Sequence, residues 1–348
     1  MPSRPPAAST LPADLALLAE LCALDSSSGR EAAILPALLP ALEARGARIE
    51  RQELGPGRCN LLASWGEPRV CFSTHLDTVP PFLPPRWDGD SLHGRGACDA
   101  KGQIAAQLLA IDRLRAEGRT DLAWLGLAGE ETDSLGAREI LAWRERFGNC
   151  RVLINGEPTG LKLATGQRGV SNLVLTCRGR AAHGGSPALG RNAILDLMAW
   201  LDRIAALPLG LDPELGPEVW NLGLVQGGTA VNIVPDRAEA WLNVRTVPGS
   251  RFQRAVAELA PADATLTVAL EEPPCRFPAV PGFPRAAVPF GSDAPQLRAL
   301  VPDGTVVLAG PGHIDCAHTD QERISLADFR AGVDLFVQLA QAFSGIHS

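Results

Sequence analysis

Side chains that commonly bind divalent metals recur along the chain, each beside a glycine or at the end of an apolar run. In sequence order these residues are His75, Asp99, Glu130, Glu131, Glu157 and His318. Imidazole nitrogens and carboxylate oxygens without a pattern of thiolates suit metals such as zinc, cobalt or manganese. Two metals about 3.5–4 Å apart need one shared carboxylate and two further ligands each. The set therefore leaves one carboxylate over, which can act as general base on a water molecule.

His75 follows the apolar run Val70-Cys71-Phe72, which predicts a buried strand that ends at the histidine. Residues two apart in a strand point to the same face, so Asp77 is expected beside His75. One residue of this pair can bind a metal while the other holds it in orientation. Alone, the pair is a weak signal, because many strands carry such residues.

Each remaining candidate also has a simple structural explanation. Glu130-Glu131 can form a solvated turn, and Asp99 can lie in an ordinary N-cap region before a helix. Glu157 can end a strand, and His318 can be a surface histidine. The side chains of two adjacent glutamates point to different sides, so one can bind a metal while the other contacts a water molecule. The occurrence of all these residues within one α/β unit favours a shared site.

Strands and helices alternate in the first half of the chain, which predicts an α/β fold. The predicted helices cover about 13–28, 31–45, 103–117 and 137–147, and the predicted strands cover about 48–53, 60–65, 70–75, 122–128 and 151–155. Ligands of such sheets gather beyond the carboxyl ends of the strands. His75, Glu130, Glu131 and Glu157 all follow predicted strands directly.

The pattern changes after about residue 167 to a strand-helix-strand-strand-helix-strand order, which is typical of the split βαβ sandwich. A proline-rich stretch then returns the chain to a strand at 305–309 and a helix at 326–343. We therefore predict one domain formed by residues 1–166 and 286–348. The second, inserted ferredoxin-like α+β domain is predicted over residues 167–285.

Five motifs together resemble the M20 metallopeptidase/amidohydrolase family, and most closely its acetylornithine deacetylase / succinyl-diaminopimelate desuccinylase branch. They occur in the family's order and span essentially the whole chain: Ser73-Thr74-His75-Leu76-Asp77-Thr78-Val79-Pro80, Gly94-Arg95-Gly96 with Asp99-Ala100-Lys101-Gly102, Glu130-Glu131, Gly156-Glu157-Pro158-Thr159, and Gly310-Pro311-Gly312 with Ala317-His318-Thr319. Ala100 departs from the methionine usual in the family, a change that concerns packing more than ligation.

The resemblance implies a zinc-peptidase-like catalytic domain, with a mixed or parallel sheet flanked by helices, that holds two divalent metals. Zinc is the first expectation and cobalt the second. One metal would be bound by His75, Asp99 and Glu157, and the other by Asp99, Glu131 and His318, with Asp99 bridging. Asp77 would orient His75, Glu130 would be the general acid/base, and the peptide after Asp99 would be cis.

The inserted domain would serve as a lid and dimerisation domain, by the same resemblance. His183, in Gly179-Arg180-Ala181-Ala182-His183-Gly184-Gly185, would reach the active site of a partner subunit and polarise the scissile carbonyl. Asn232 and Arg245 would receive the carboxylate of the substrate, since a guanidinium pairs with a carboxylate in bidentate fashion. A homodimer is therefore expected.

The implied function is removal of an N-acyl group from an amino acid, with N-acetylornithine as first choice of substrate and N-acetyl-lysine next. The alternatives are succinyl-diaminopimelate or N-acetylcitrulline as the substrate, or a dipeptidase or aminopeptidase reaction. A relative that has lost catalysis and serves as a binding protein is the non-enzymatic alternative. Because the ligand-type residues and Glu130 are all present, we favour the enzyme.

Composition limits the partners and the location. The chain has 348 residues, a net charge of −7 and a pI near 5.5, so no basic surface for nucleic acid or anionic membrane is expected. Residues 1–12 lack the features of a signal peptide, and no apolar stretch approaches the ~20 residues that span a bilayer. The eight cysteines are scattered without a C-x-x-C pair. These features together predict a cytoplasmic protein.

Overall fold

A computed structural model describes residues 11–343, and the chain divides into two compact units. The larger unit comprises residues up to Thr165 together with Phe277–Ala286 and the segment from Ser292 onward. The smaller unit comprises Gly166–Arg276 and Ala287–Gly291. Each unit is described by itself below.

The strands of the described residues are β1 (Arg48–Glu53), β2 (Cys59–Trp65), β3 (Val70–His75), β4 (Arg86–Trp87), β5 (Ser91–His93), β6 (Leu122–Leu127), β7 (Val152–Asn155), β8 (Leu163–Gln167), β9 (Gly169–Arg178), β10 (Leu211–Asp212), β11 (Gly216–Pro217), β12 (Val219–Gly227), β13 (Arg237–Thr246), β14 (Ala264–Glu272), β15 (Cys275–Arg276), β16 (Arg285–Val288), β17 (Thr305–Leu308) and β18 (Arg323–Ser325). The α-helices are α1 (Ala16–Cys22), α2 (Leu35–Ala44), α3 (Lys101–Ala116), α4 (Leu135–Glu139), α5 (Ala193–Ala205), α6 (Phe252–Glu258), α7 (Ala294–Leu297) and α8 (Leu326–Ala342).

A six-stranded mixed sheet in the order β1-β2-β6-β3-β7-β17 forms the centre of the larger unit. Strands β6, β3, β7 and β17 run parallel, whereas β2 pairs antiparallel with both β1 and β6. Every residue of β3 and β6 is buried, as their continuous apolar sequences predict. Helices α1, α2, α3 and α8 contribute to the same apolar core. The predicted α/β fold with a sheet flanked by helices is confirmed.

The parallel register sets where the candidate site residues emerge. His75 is opposite Leu127 at the end of β6, and Ser73 is opposite Asn155 at the end of β7. The segments after three neighbouring strands therefore begin at one edge of the sheet. This edge carries His75, the Gly129–Glu131 turn and Glu157.

A small antiparallel sheet in the order β18-β5-β4 brings the C-terminal region to the loop that contains Asp99. Arg323 of β18 is opposite His93 of β5, and Gly94 donates its amide to the carbonyl of Glu322 at 3.0 Å. This pairing brings together two chain segments more than 200 residues apart.

The smaller unit has the predicted element order: β9, α5, β12, β13, α6 and β14. Its sheet is antiparallel in the order β12-β13-β9-β14. Alternate residues of β13 are buried in an apolar core that includes residues of α5 and α6. Asn192 caps α5 by accepting hydrogen bonds from the amides of Ile194 and Leu195, and the indole of Trp200 donates to the carbonyl of Val256.

Three predicted helices are shorter than expected, among them the helix predicted over 31–45, which is the 3-10 helix Glu31–Ile34 followed by α2 (Leu35–Ala44). The helix predicted over 13–28 ends at Cys22, because the serines that follow make local and long-range hydrogen bonds instead. Ser27 donates to the carboxylate of Asp25, and Ser28 donates to the carboxylate of Asp77. The segment predicted as one helix over 137–147 is the short helix α4 followed by a 3-10 helix, Ile140–Phe147.

Within the described part of the chain, every helix is too short or too polar to cross a bilayer.

Candidate metal centre

The first group of candidate ligands lies at the carboxyl edge of the central sheet. The Nε2 atom of His75 is 2.9 Å from Oδ1 of Asp99 and 4.0 Å from Oε2 of Glu157. All three side chains are buried, and one ligand atom from each lies within 4.8 Å of the others. One nitrogen and two carboxylate oxygens at this spacing can hold a single cation.

A second group shares Asp99 with the first. Oδ2 of Asp99 is 3.3 Å from Nε2 of His318, which is itself 3.0 Å from Oε1 of Glu131. The two oxygens of Asp99 therefore face two different histidines. This is the geometry that a bridging carboxylate needs. The structure thus brings together the five predicted ligands in the two predicted groups.

Electrostatics also favours cations at this position. Burial raises the pKa of Glu157 well above its usual range, and it raises the pKa of Glu131 as well. Hydrogen bonds to Asp99 and Glu131 raise the pKa of His318 to about 10. Burial alone would lower the pKa of His75, but the hydrogen bonds to Asp77 and Asp99 raise it. The charges of Asp99 and Glu131 also raise the pKa of Glu157, so a bound cation would relieve repulsion among these carboxylates.

One buried atom supports the fit of this donor set to metal ions. Oε1 of Glu157 is inaccessible to solvent and has no hydrogen-bond partner. Leaving a buried carboxylate oxygen without a partner is costly unless something else, such as a cation, interacts with it. The two imidazoles and three carboxylates also match the nitrogen and oxygen ligands that zinc uses in catalytic sites. The residues present therefore fit a two-metal centre.

Glu130 lies next to this centre. One oxygen of Glu130, one oxygen of Glu131 and one ring nitrogen of His75 lie within 4.8 Å of one another and form a third group. Burial and the charge of Glu157 raise the pKa of Glu130 well above its usual range. A raised pKa suits a carboxyl group that must both accept and return a proton near neutral pH.

Asp77 has a broader set of contacts than the sequence indicates. Its Oδ1 accepts hydrogen bonds from the amides of Gly129 and Glu130 at 3.1 Å, and its Oδ2 accepts one from Glu131 at 3.2 Å. Nδ1 of His75 is 2.9 Å from the carbonyl of Asp77 and 3.4 Å from Oδ1. Asp77 therefore contacts His75, as predicted, and also fixes the backbone of the turn that carries both glutamates.

Backbone conformation at the centre is unusual at two ligands. The Asp99–Ala100 peptide is cis, as predicted. His318 has φ +61°, in the left-handed region that residues other than glycine rarely adopt. Left-handed conformations of residues other than glycine cluster at functional sites, where surrounding contacts hold them.

The three remaining predicted residues all belong to the smaller unit. His183 and Asn232 are exposed and lie on adjacent loops, since His183 forms an isolated bridge with Ile233 and the amide of Gly184 donates to the carbonyl of Asn232 at 2.7 Å. Arg245 is near the far end of β13. The extended strand from Arg237 to Arg245, nine residues and eight steps along the chain, alone spans about 26 Å. One copy of the unit therefore does not bring Asn232 and Arg245 to the same carboxylate.

Asp293 and Glu322 are buried carboxylates that affect the candidate ligands and were not identified from the sequence. Asp293 is 1 % exposed, and its charge contributes to the raised pKa values of Glu130 and Glu157. It directly precedes α7, where an aspartate is easily interpreted as an ordinary N-cap. Glu322 is also 1 % exposed and contacts the loop of Asp99. Its position four residues after His318 was the available signal.

The sequence of residues 71–342 matches that of peptidase family M20/M25/M40. The chain belongs to this family. A probable carboxypeptidase of Aspergillus clavatus is 34% identical over 330 residues, which cover 84% of this chain and 79% of the relative. The M20 peptidase fold is thus expected throughout most of the chain.

Solved structures with the same fold include a tripeptidase from Staphylococcus aureus, with a TM-score of 0.76, 22% identity and coverage of 94% of this chain and 98% of that one. An M20 family metallo-carboxypeptidase from Sulfolobus solfataricus gives a TM-score of 0.75 with 16% identity over 96% of this chain and 99% of that one. This M20 family member is therefore a hydrolase of the peptidase class, and it has a candidate metal centre at the carboxyl edge of its central sheet.

Proposed function

We propose that this protein is a two-metal carboxypeptidase that releases the C-terminal amino acid of small peptides. The observation that carries the proposal is Asp99, whose two carboxylate oxygens face the two histidines of adjacent ligand groups. The choice of a peptide over an acetylated amino acid is supported by relatives named probable carboxypeptidases.

The chemistry of this reaction is shared with the deacetylases that the sequence resembles. A carboxypeptidase and an N-acyl amino acid deacylase both hydrolyse an amide whose nitrogen belongs to an amino acid with a free carboxylate. They differ in whether the acyl group is a peptide or a small group such as acetyl. N-acetylornithine deacetylation is therefore our second candidate, supported by the motif that contains Ala317-His318-Thr319.

In the proposed centre, His75, Asp99 and Glu157 would hold one divalent cation, and Asp99, Glu131 and His318 the other. Such cations, with zinc the first expectation, supply positive charge that polarises the amide carbonyl and makes water more acidic. Asp77 keeps His75 and the glutamate turn in place through the contacts described above.

Glu130 is the proposed general acid/base. Its carboxylate accepts a proton as water attacks the amide carbon, and it returns that proton to the nitrogen as the carbon–nitrogen bond breaks. The raised pKa of Glu130, caused by burial and the charge of Glu157, makes its carboxylate a stronger base than that of an exposed glutamate. The amine departs with that proton, and the acyl group departs as a carboxylic acid, which becomes a carboxylate by giving the second proton of the water to the amine or to solvent.

His183, Asn232 and Arg245 are the proposed contacts to the substrate. His183 would donate to the developing oxyanion, and Asn232 and Arg245 would receive the terminal carboxylate. Because Asn232 and Arg245 are separated by most of strand β13, this role requires that one of them comes from a second copy of the chain. We therefore propose a homodimer in which residues 167–285 act as lid and dimerisation domain.

The edge of the smaller sheet supports that dimer. Strand β12 is at the edge and is exposed along nearly its whole length, including Leu222, Leu224 and Val225. An exposed apolar edge strand readily pairs with another strand. A twofold axis would place β12 of each copy against that of the other.

Light scattering of two variants tests this dimer. Leu224→Lys should give a monomer, whereas Val268→Lys on the opposite edge strand β14 should leave a dimer. If both variants are dimers, this arrangement is wrong.

The decisive assay uses zinc-loaded and cobalt-loaded protein with a panel of tripeptides, dipeptides, N-acetylornithine, N-acetyl-lysine and succinyl-diaminopimelate. We expect the highest kcat/KM for a peptide whose C-terminal residue is released, regardless of whether its N-terminus is blocked. Preference for N-acetylornithine would favour the second candidate, and a strict requirement for a free N-terminus would favour an aminopeptidase. No activity on the whole panel would overturn the enzyme proposal in favour of a binding protein.

Glu130→Gln provides the matched control. It should lower kcat by about 10²–10⁴-fold. Metal stoichiometry should stay unchanged, because Glu130 is outside the two proposed ligand groups. A variant as active as the wild type would exclude Glu130 as the general base. The cytoplasmic location stays a prediction that fractionation of the native host would test.

A further inference from the structure

Glu322 is a buried carboxylate that the proposed chemistry does not use. Its side chain has no exposed surface, and it lies four residues after His318. Its Oε1 accepts hydrogen bonds from three backbone amides: Gly96 at 2.9 Å, Cys98 at 3.2 Å and Asp99 at 3.1 Å. One oxygen thus gathers the amides of the loop that carries the proposed bridging ligand.

The remaining amide of that loop has a different acceptor, since Ala97 donates to the carbonyl of Gly94 at 3.1 Å. Without Glu322, the amides of Gly96, Cys98 and Asp99 would lose the acceptor that they share. A buried amide without an acceptor destabilises the conformation that buries it. The conformation of this loop therefore depends on the side chain of Glu322.

The other carboxylate oxygen of Glu322 forms an ion pair with a buried arginine. Oε2 of Glu322 accepts from Nη1 of Arg95 at 2.5 Å, and Arg95 is only 1 % exposed. Arg95 also donates from Nε to the carbonyl of Pro81 at 3.3 Å. The ion pair balances the charge of Glu322, so the carboxylate does not need a metal as its own counterion.

The main chain places this carboxylate. Strand β18 begins directly after Glu322 and pairs with β5, whose last residue precedes Gly94. The carbonyl of Glu322 accepts the amide of Gly94 at 3.0 Å. Backbone and side chain of one residue therefore fix the loop at both of its ends.

We propose that Glu322 is a positioning residue of the metal centre, which holds residues 96–99 so that Asp99 presents one oxygen toward His75 and the other toward His318. This inference rests on the proposed two-metal function. Glu322 acts through Asp99 and touches no ligand atom of the centre. Because Glu322 also follows His318 closely in the chain, the same anchor joins the segments of two proposed ligands.

The test compares three substitutions that separate the hydrogen-bond acceptor from the charge. Glu322→Ala removes both, Glu322→Gln keeps an acceptor oxygen without the charge, and Glu322→Asp keeps the charge on a side chain one methylene shorter. We measure Zn²⁺ affinity by competition with a chelator and the absorption spectrum of the Co²⁺-loaded protein. Thermal unfolding of the metal-free protein is measured in parallel.

If Glu322 positions Asp99, Zn²⁺ affinity should fall about 10–100-fold in Glu322→Ala, the size expected for loss of a residue that supports a ligand. Glu322→Asp should also bind more weakly, because the shorter side chain cannot reach all three amides. Glu322→Gln should stay close to the wild type and retain the Co²⁺ spectrum, although its metal-free form melts lower. The reverse order would overturn the inference in favour of a purely electrostatic effect: Glu322→Asp would retain Zn²⁺ affinity and Glu322→Gln would lose it.

Asp212 offers a matched control in the smaller unit. It is a buried carboxylate that accepts the amides of Glu214 and Leu215 at 2.9 Å and pairs with Arg276 at 2.6 Å. Asp212→Ala should lower the melting temperature without changing Zn²⁺ affinity. If the folded Glu322→Ala and Glu322→Asp variants show the same pattern as Asp212→Ala, Glu322 is merely structural and the inference is wrong.

The outcomes separate this inference from the proposed function. A wild-type protein that binds two Zn²⁺ ions and hydrolyses the panel, together with unchanged affinity in Glu322→Ala and Glu322→Asp, would overturn only the inference. A wild-type protein that binds no Zn²⁺ would overturn the proposed function and, with it, the role of Glu322. If Glu322→Ala does not fold, the Asp and Gln variants decide.

Discussion

Two loops of the metal centre are organised in the same way by different carboxylates. Asp77 accepts three backbone amides of the turn that carries Glu130 and Glu131, and Glu322 accepts three of the loop that carries Asp99. Both carboxylates are completely buried. In each case, the candidate ligand is held through its own backbone.

The two carboxylates differ in how their charge is balanced. Burial opposes ionisation of Asp77, but hydrogen bonds from His75, Ser28 and the amide of Glu131 hold its pKa below the usual range. Burial and the charge of Asp99 raise the pKa of Glu322 to about 7, although Arg95 opposes this effect. Asp77 thus depends on neighbours within the centre itself, whereas Glu322 depends on an arginine outside it.

This difference suggests two kinds of support for a metal site. Asp77 follows β3 directly, and its turn follows the adjacent parallel strand β6, so the sheet itself brings them together. Glu322 reaches its loop through the separate pairing of β18 with β5. The Asp99 loop should therefore be the more sensitive to changes far away in sequence.

The largest expected effect is that of metal removal. Chelation should abolish hydrolysis, because both proposed cations are lost. The amides of residues 96, 98, 99 and 129–131 should nevertheless keep their protection from hydrogen exchange, since carboxylates rather than metals hold them. Loss of protection in both loops on chelation would mean that the metals organise the backbone and would remove the basis of the comparison.

Next in size are the losses of stability in Glu322→Ala and Asp77→Ala. Glu322→Ala leaves Arg95 buried without its partner, so we expect a decrease in unfolding free energy of about 3–5 kcal/mol. Asp77→Ala removes hydrogen-bond acceptors but leaves no permanently charged side chain buried without its partner. We therefore expect a decrease in unfolding free energy of about 1–3 kcal/mol. Denaturant unfolding of the metal-free proteins measures both. A larger loss for Asp77→Ala would show that the ion pair is not what distinguishes the two.

Arg95→Met tests the ion pair through pH. Arg95 lowers the pKa of Glu322, so its removal raises that pKa above about 7. The variant then binds more protons than the wild type above pH 7, and its stability falls faster as pH rises. The destabilisation should therefore be greater at pH 8 than at pH 6, where Glu322 is largely protonated in both proteins. Equal destabilisation at pH 6 and pH 8 would mean that Glu322 is ionised at both pH values.

Ser28→Ala should have the smallest effect. Its hydroxyl donates to Oδ2 of Asp77 at 2.7 Å, which is one of several hydrogen bonds to that carboxylate. Loss of a single hydrogen bond typically lowers stability by about 0.5–1.5 kcal/mol. Chemical denaturation should detect this decrease, while Zn²⁺ affinity stays unchanged. A loss of affinity would show that the turn of Glu130 and Glu131 depends on Ser28 as well as on Asp77.

Much of the fold was predictable because apolar runs and their periodicity directly reflect burial. The continuous runs 70–75 and 122–128 correspond to buried parallel strands β3 and β6. The errors occurred where polar side chains compete for backbone groups, as in the serines after Cys22, which end the first helix early. Such competition depends on partners distant in sequence and is invisible to a local pattern.

The candidate site was predictable in part for a similar reason. Parallel strands end at one edge, so His75, Glu130 and Glu157 could be grouped from their positions after strands. His318 and Asp99 follow no such rule, and their assignment depended on the resemblance to the M20 family. Asp293 and Glu322 were missed because each has a common structural explanation when considered alone.

The sequence by itself determined the chemistry available to this protein: two histidines, the acidic residues and the strands that present several of them. These properties follow from residue type and local periodicity. Only the tertiary structure decided how the groups are shared. It directed the two oxygens of Asp99 to different histidines, placed Glu322 against the Asp99 loop and separated Asn232 from Arg245 along β13. The first two depend on contacts between segments distant in the chain, which no local pattern of residues encodes, whereas the third follows from the length of β13 as one continuous strand.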